Sequence, residues 1–148
     1  MNRFALAPML GLALVACAHT EVASSPQQTE EARCELVQTL VREPVVTQRL
    51  TEMASDGREL PVPVTVFLRN ASEGRLERFF DDDPSCGNEQ FRVVRQLARE
   101  GLVLYLEESS EGYAYDARRA GPEDLSMASS PQGFVRRTAE GSWAAASD

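Results

Sequence analysis

The chain contains no lysine and no isoleucine; all fifteen of its basic side chains are arginine. Both missing residues have AT-rich codons, so their joint absence reads as the composition of a GC-rich genome rather than a physical adaptation. The absence still removes whole chemistries. Without lysine there is no Schiff base, no Ser-Lys dyad and no phosphate-gripping P-loop lysine. Histidine is nearly missing as well: the single one is His19, in a polar stretch near the start. A domain without histidine has no Ser-His or Cys-His nucleophile pair, and one remote histidine with two spare cysteines builds no zinc site. Gly-X-Ser-X-Gly, GxGxxG and Walker patterns are also missing. Positive charge is in deficit, and the net charge is −8. A surface of that sign repels phosphate backbones, which argues against nucleic-acid binding and against docking on anionic headgroups by charge.

What is present begins with Phe4 to Ala16, an apolar run preceded by one charge, Arg3. A bilayer-spanning helix takes roughly 20 residues, so this run is too short to cross and has the length of a secretory h-region. Small Ala16 stands directly before Cys17. Leu14-Val15-Ala16-Cys17 resembles the lipobox of bacterial lipoproteins. The resemblance implies that the Cys17 thiol is diacylated, that the peptide is cut before it, and that the new amino terminus is acylated. Several acyl chains anchor stably where one binds only marginally. Ala18 stands where an aspartate would favour retention in the inner membrane, so the resemblance implies lipid anchoring at the outer membrane. The expected organisation is a signal peptide over 1–16, a lipidated cysteine and flexible tether over 17–29, and one globular domain over 30–148. No family is recognised for that domain.

Cleavage would leave about 130 residues, enough for one domain with a real core. With Arg3 gone the mature charge would be about −9. Cys34 and Cys86 then remain as an even pair in an exported chain, which points to a disulfide. In the chain-entropy picture, closing that loop is worth about 4 kcal/mol.

The expected fold class is α+β: an N-terminal helix pair and one further helix on a small, mostly antiparallel sheet. Thr29 with Glu30 and Glu31 reads as an N-cap and acidic first turn, followed by Leu36, Val37, Leu40 and Val41 at helical spacing. Pro44 breaks that run and suits the first turn of a second helix carrying Val46, Leu50 and Met53, ended by Asp56-Gly57. The two form a pair of short helices, or one kinked helix, over 30–55. Residues 60–68 form the best strand, with Pro61 and Pro63 confined to its start or to an edge. Phe91, Val94, Leu97 and Ala98 predict the third helix, capped by Gly101 and opened by Asp83 and Pro84. Residues 102–106 and 113–118 read as a hairpin around a 107–112 turn, 119–132 as a loop, and 133–138 with 142–145 as a closing hairpin. The rival reading makes 91–96 a strand and the whole an all-β sandwich.

Three clusters invite a functional reading. Asp81, Asp82 and Asp83, with Ser85, Asn88 and Glu89, offer oxygen ligands to a hard cation. They fail the EF-hand pattern, which wants glycine where Cys86 stands and glutamate where Arg92 stands, and an acidic loop is the simpler account. Glu107, Glu108 and Glu111 would do acid–base work only if one were buried; among Ser109, Ser110 and Gly112 they look like a solvated turn. Tyr105, Tyr113, Tyr115, Phe134 and Trp143 are expected to form core, with Tyr113 and Trp143 as candidates for partner contact. The sequence therefore predicts a lipid-anchored envelope protein that binds an envelope partner, uses no cofactor and catalyses nothing. The alternative is a periplasmic binder of a small ligand or divalent cation. A carboxylate-only wall glycosidase on Glu107 and Glu108 is a third possibility that a domain of this size leaves little room for.

Overall fold

The computed structural model describes residues 29–57, 59–128 and 130–146. Leu14 to Cys17, His19 and the tether up to residue 28 lie outside the described residues. The first helix, α1, spans Glu30–Leu40, and Thr29 caps it by accepting a hydrogen bond from the Ala32 N–H at 3.2 Å. It buries Leu36, Val37 and Leu40. The second, α2, spans Pro44–Ser55, with Pro44 in its first turn, where no N–H is needed. It buries Val46, Leu50 and Met53. The chain leaves helical geometry at Glu43, so these are two helices and not one kinked rod.

Among the described residues seven strands follow: β1 (Val62–Asn70), β2 (Arg75–Arg78), β3 (Phe91–Val93), β4 (Gly101–Glu108), β5 (Gly112–Ala120), β6 (Gly133–Arg137) and β7 (Trp143–Ala145). They form one sheet in the order β2-β1-β4-β5-β6-β7, with β3 also beside β1. Four pairings are antiparallel; β1 pairs in parallel with β3 and with β4. The α+β class and the mostly antiparallel sheet are therefore present, and both expected hairpins form, β4–β5 and β6–β7.

Alternation along the strands sorts the core into two layers. Val62, Val64 and Val66 of β1, Leu102, Leu104 and Leu106 of β4, and Tyr113, Tyr115 and Ala117 of β5 share one layer with the buried residues of α1 and α2. Phe67, Val103, Tyr105 and Ala120 form a second, smaller cluster with Leu97. That second face is covered by the 94–100 segment and the β5–β6 connection, not by a helix.

The third helix is a correction. Residues 91–93 are a strand, in register with Val62–Val64 of β1, and 94–100 is irregular. Phe91 and Val93 go to the helix-side core while Val94 and Leu97 pack in the other cluster. The segment passes around the sheet edge, so apolar residues at near-helical spacing serve two opposite faces. No single helix face can do that. Asp83 caps nothing, and Gly101 opens β4 instead of ending a helix. Gly87, at φ 144°, lets 86–88 return along β3: a Cβ there would lie 2.5 Å from the Phe91 carbonyl oxygen.

Pro63 stands inside a strand paired on both sides. The Val62 N–H donates to the Gln90 oxygen, and the Val64 oxygen accepts from the Val94 N–H, so the even positions face β3. The missing Pro63 N–H points the other way, where the β4 ladder starts only at Val64↔Leu102.

Candidate functional site

Cys34 and Cys86 form a disulfide with a Cα–Cα distance of 5.6 Å. It ties α1 to the loop ahead of β3. Around it, Arg33 donates to the Phe79 oxygen at 2.6 Å and the Ser85 N–H donates to Glu30.

Asp81, Asp82 and Asp83 are exposed. Asp83 accepts from the Arg95 N–H at 2.6 Å, which ties its loop to the 94–100 segment. Among the described residues no three His, Cys, Asp or Glu side chains are grouped to hold a metal ion. Glu107 is half-buried and Glu108 and Glu111 are exposed, around a turn closed by the Ser109 N–H on the Gly112 oxygen. Glu107 and Glu108 share the rim of a shallow surface groove with Glu77 and Asn70.

Tyr113 is buried: only 5% of it is exposed, against the Trp143 ring at 5.4 Å and the Phe79 ring at 6.3 Å, so it belongs to the core that the sequence expected of the aromatics. Trp143 is half-buried, with the Arg137 guanidinium 5.8 Å over its ring. Tyr105 does not join the other aromatics; it faces the second layer beside Phe67.

Two features carry no sequence motif. The first is a buried polar cluster on the second face. Arg69 and Asp116 are 6% and 1% exposed. The Asp116 Oδ2 accepts from Arg118 Nε at 2.6 Å and lies 3.9 Å from Arg69 Nη2. Arg69 also donates to the Ala128 oxygen at 2.6 Å and sits 4.7 Å over the Tyr105 ring. The Tyr105 hydroxyl accepts from the Ser126 N–H at 2.9 Å. These bonds hold the 121–132 connection down on the sheet. The second Asp116 oxygen has no hydrogen-bond partner among the described residues. The cluster works as an anchor for that loop.

The second feature is a groove of about 320 Å³ between α2 and the start of β3. Leu50 and Ala54 form one wall, Phe91 the other, and Leu60, half exposed, stands at the lip. Three hydroxyls of α2 line it, and each is already used. Thr47 donates to the Val41 oxygen, Thr51 to Thr47 and Ser55 to Thr51, at 2.8–2.9 Å. Asn88 and Gln90 provide its side-chain amides. Asn88 Oδ1 accepts from the Gln90 and Phe91 N–H groups, which leaves its Nδ2 to donate. Among the described residues, none that lines the groove is charged.

Titration is perturbed elsewhere. Burial, then the Glu43 charge and hydrogen bond, push Tyr115 up to about 12; its hydroxyl donates to Glu43 at 3.2 Å. Arg75 is held above the ordinary arginine range by its hydrogen bond to Glu77 and the charge of Glu73, and Arg119 by hydrogen bonds to Glu100 and Asp56.

No protein-family model, curated protein or solved structure matches the chain.

Proposed function

We infer that the protein is a lipoprotein of a bacterial envelope, held at the outer membrane by acylated Cys17, and that its domain acts by binding rather than catalysis. The observation that carries this reading is the division of its cysteines. Cys34 and Cys86 pair with each other, which suits an oxidising compartment, and Cys17 is left to close the Leu14-Val15-Ala16-Cys17 signature. The binding partner in this reading is an envelope protein. The experiment is growth on labelled palmitate with wild type and a Cys17→Ala variant, followed by membrane fractionation. Label on the membrane-bound wild type, lost with the variant, is the expected result. An unlabelled, soluble wild type would overturn the anchor. Chemical crosslinking in intact membranes then reads the partner, and a specific envelope protein absent from the Cys17→Ala sample is expected.

One observation favours a second reading, a periplasmic small-ligand binder: the uncharged groove along α2. Its size falls at the low end of the roughly 300–1,000 Å³ of small-molecule sites. The cation version of that reading lacks such support, because Asp83 is engaged by the Arg95 N–H.

A further inference from the structure

We propose that the groove between α2 and β3 binds a small uncharged amphiphile, a molecule with a short apolar body and a neutral hydrogen-bonding head. The proposal rests on the small-ligand reading and does not depend on acylation of Cys17.

The chain is 26% charged, yet among the described residues no charged side chain lines this groove. A charged head group would find no counter-ion there and would lose hydration without compensation. The hydroxyls of Thr47, Thr51 and Ser55 point their hydrogens back at the chain's own carbonyls, so they need nothing from a ligand. Such back-bonding is a standard way for Ser and Thr to satisfy themselves on a helix. What remains on that wall is the hydrocarbon of Leu50 and Ala54, with the three hydroxyl oxygens left only as acceptors. On the opposite rim, Asn88 Nδ2 and the Gln90 amide supply the side-chain donors that the α2 hydroxyls do not, which places the head of the ligand at that end.

The backbone around the groove argues against a peptide. The Gln90 oxygen is taken by the Val62 N–H, the Phe91 oxygen by Asn88 and the Cys86 oxygen by Val93. An extended chain laid along this wall would meet a ladder already in use, so strand addition is closed to it. A volume of about 320 Å³ is also too small for the apolar face of a helix.

The test uses the full chain, as membrane-bound wild type and as a Cys17→Ser variant in solution. The probe is a diazirine-bearing octanol, photolysed and mapped by peptide mass spectrometry, with 1-octanol and octanoate as competitors. Label is expected on the peptides containing residues 47–55 and 88–91, displaced by 1-octanol at concentrations at least tenfold below octanoate. Ala54→Phe fills the groove and is expected to lower that labelling at least tenfold. Thr51→Glu places a charge at an exposed helix position and does the same without touching the core, with the circular dichroism spectrum unchanged. Uniform labelling, or labelling indifferent to both variants, would overturn the site. Octanoate competing as well as octanol would overturn the neutral head. Labelling of the groove only in membranes would overturn a free amphiphile in favour of a bilayer lipid. Loss of the lipoprotein reading alone would leave the Cys17→Ser result standing.

Discussion

Asp116 shows how one residue can hold a loop that has no secondary structure of its own. Its carboxylate is 1% exposed beside two arginines, and Arg69 reaches from there to the Ala128 oxygen. Removing one partner of a buried ion pair strands the other charges, at about 3–5 kcal/mol. Asp116→Ala should therefore cost at least about 3 kcal/mol in urea unfolding. Exposed Glu140→Ala should stay within about 0.5 kcal/mol. Tyr115 gives a pH signature at the same scale. Its folded pKa of about 12 lies above its ordinary value of 10. The protonated form is thus favoured by folding, so this contribution is complete below pH 10 and is lost as the pH rises through 12. Tyr115→Phe should flatten the fall of stability across that window, read by chemical unfolding at successive alkaline pH values. Neither role was legible in sequence. Asp116 sits in an ordinary alternating strand, and although Arg118 is two residues on, its other partner, Arg69, comes from β1, far away in the chain.

At the scale of elements, the N-terminal helices were readable because their signals are local. A threonine cap, acidic first turn and proline at the first helical position act within a few residues. The 91–100 segment was not readable, because its apolar residues serve two faces of a sheet that exists only after folding. A mutation pair separates the two descriptions. Val93 would point away from the apolar face of the expected helix, but in the strand it is fully buried. Val93→Ala should cost about 2 kcal/mol, whereas a solvent-facing helix position would lose almost nothing. Arg92→Ala, at the exposed position between Phe91 and Val93, should be near neutral. The disulfide joins an element to a loop across a sequence separation of 52. Reduction, or the Cys34→Ser/Cys86→Ser pair, should lower stability by up to about 4 kcal/mol in denaturant titration. Fraying of α1 is expected to show first in hydrogen exchange, because the cross-link is one of its few ties to the sheet edge.

For the whole molecule, the sheet is covered unequally. Two helices bury one face, and two irregular segments cover the other with the help of a polar anchor. Among the described residues no helix is long and apolar enough to cross a membrane; the proposed reading attaches the protein through Cys17. Conversion of Cys17 to alanine should move the protein from the membrane pellet to the soluble fraction while leaving its unfolding midpoint unchanged. A shifted midpoint would mean that the N-terminal segment packs on the domain.

The sequence by itself determined whatever depends on neighbours along the chain: the helix pair, the two hairpins and the candidate anchor signature at Leu14–Cys17. It also narrowed the chemistry, because a chain without lysine and with one remote histidine has few nucleophiles to activate. The pairing of Cys34 with Cys86 was reachable by counting. The tertiary structure alone decided the parallel β1–β4 pairing, the strand at 91–93, the burial of Tyr113 and the separation of Tyr105 from the other aromatics. It alone assembled the Arg69–Asp116–Arg118 anchor and the uncharged groove of α2. The physical reason is common to all of these. Periodicity tells which residues want burial, but which face they share, and which distant polar group satisfies them, depends on how the strands are ordered in the sheet.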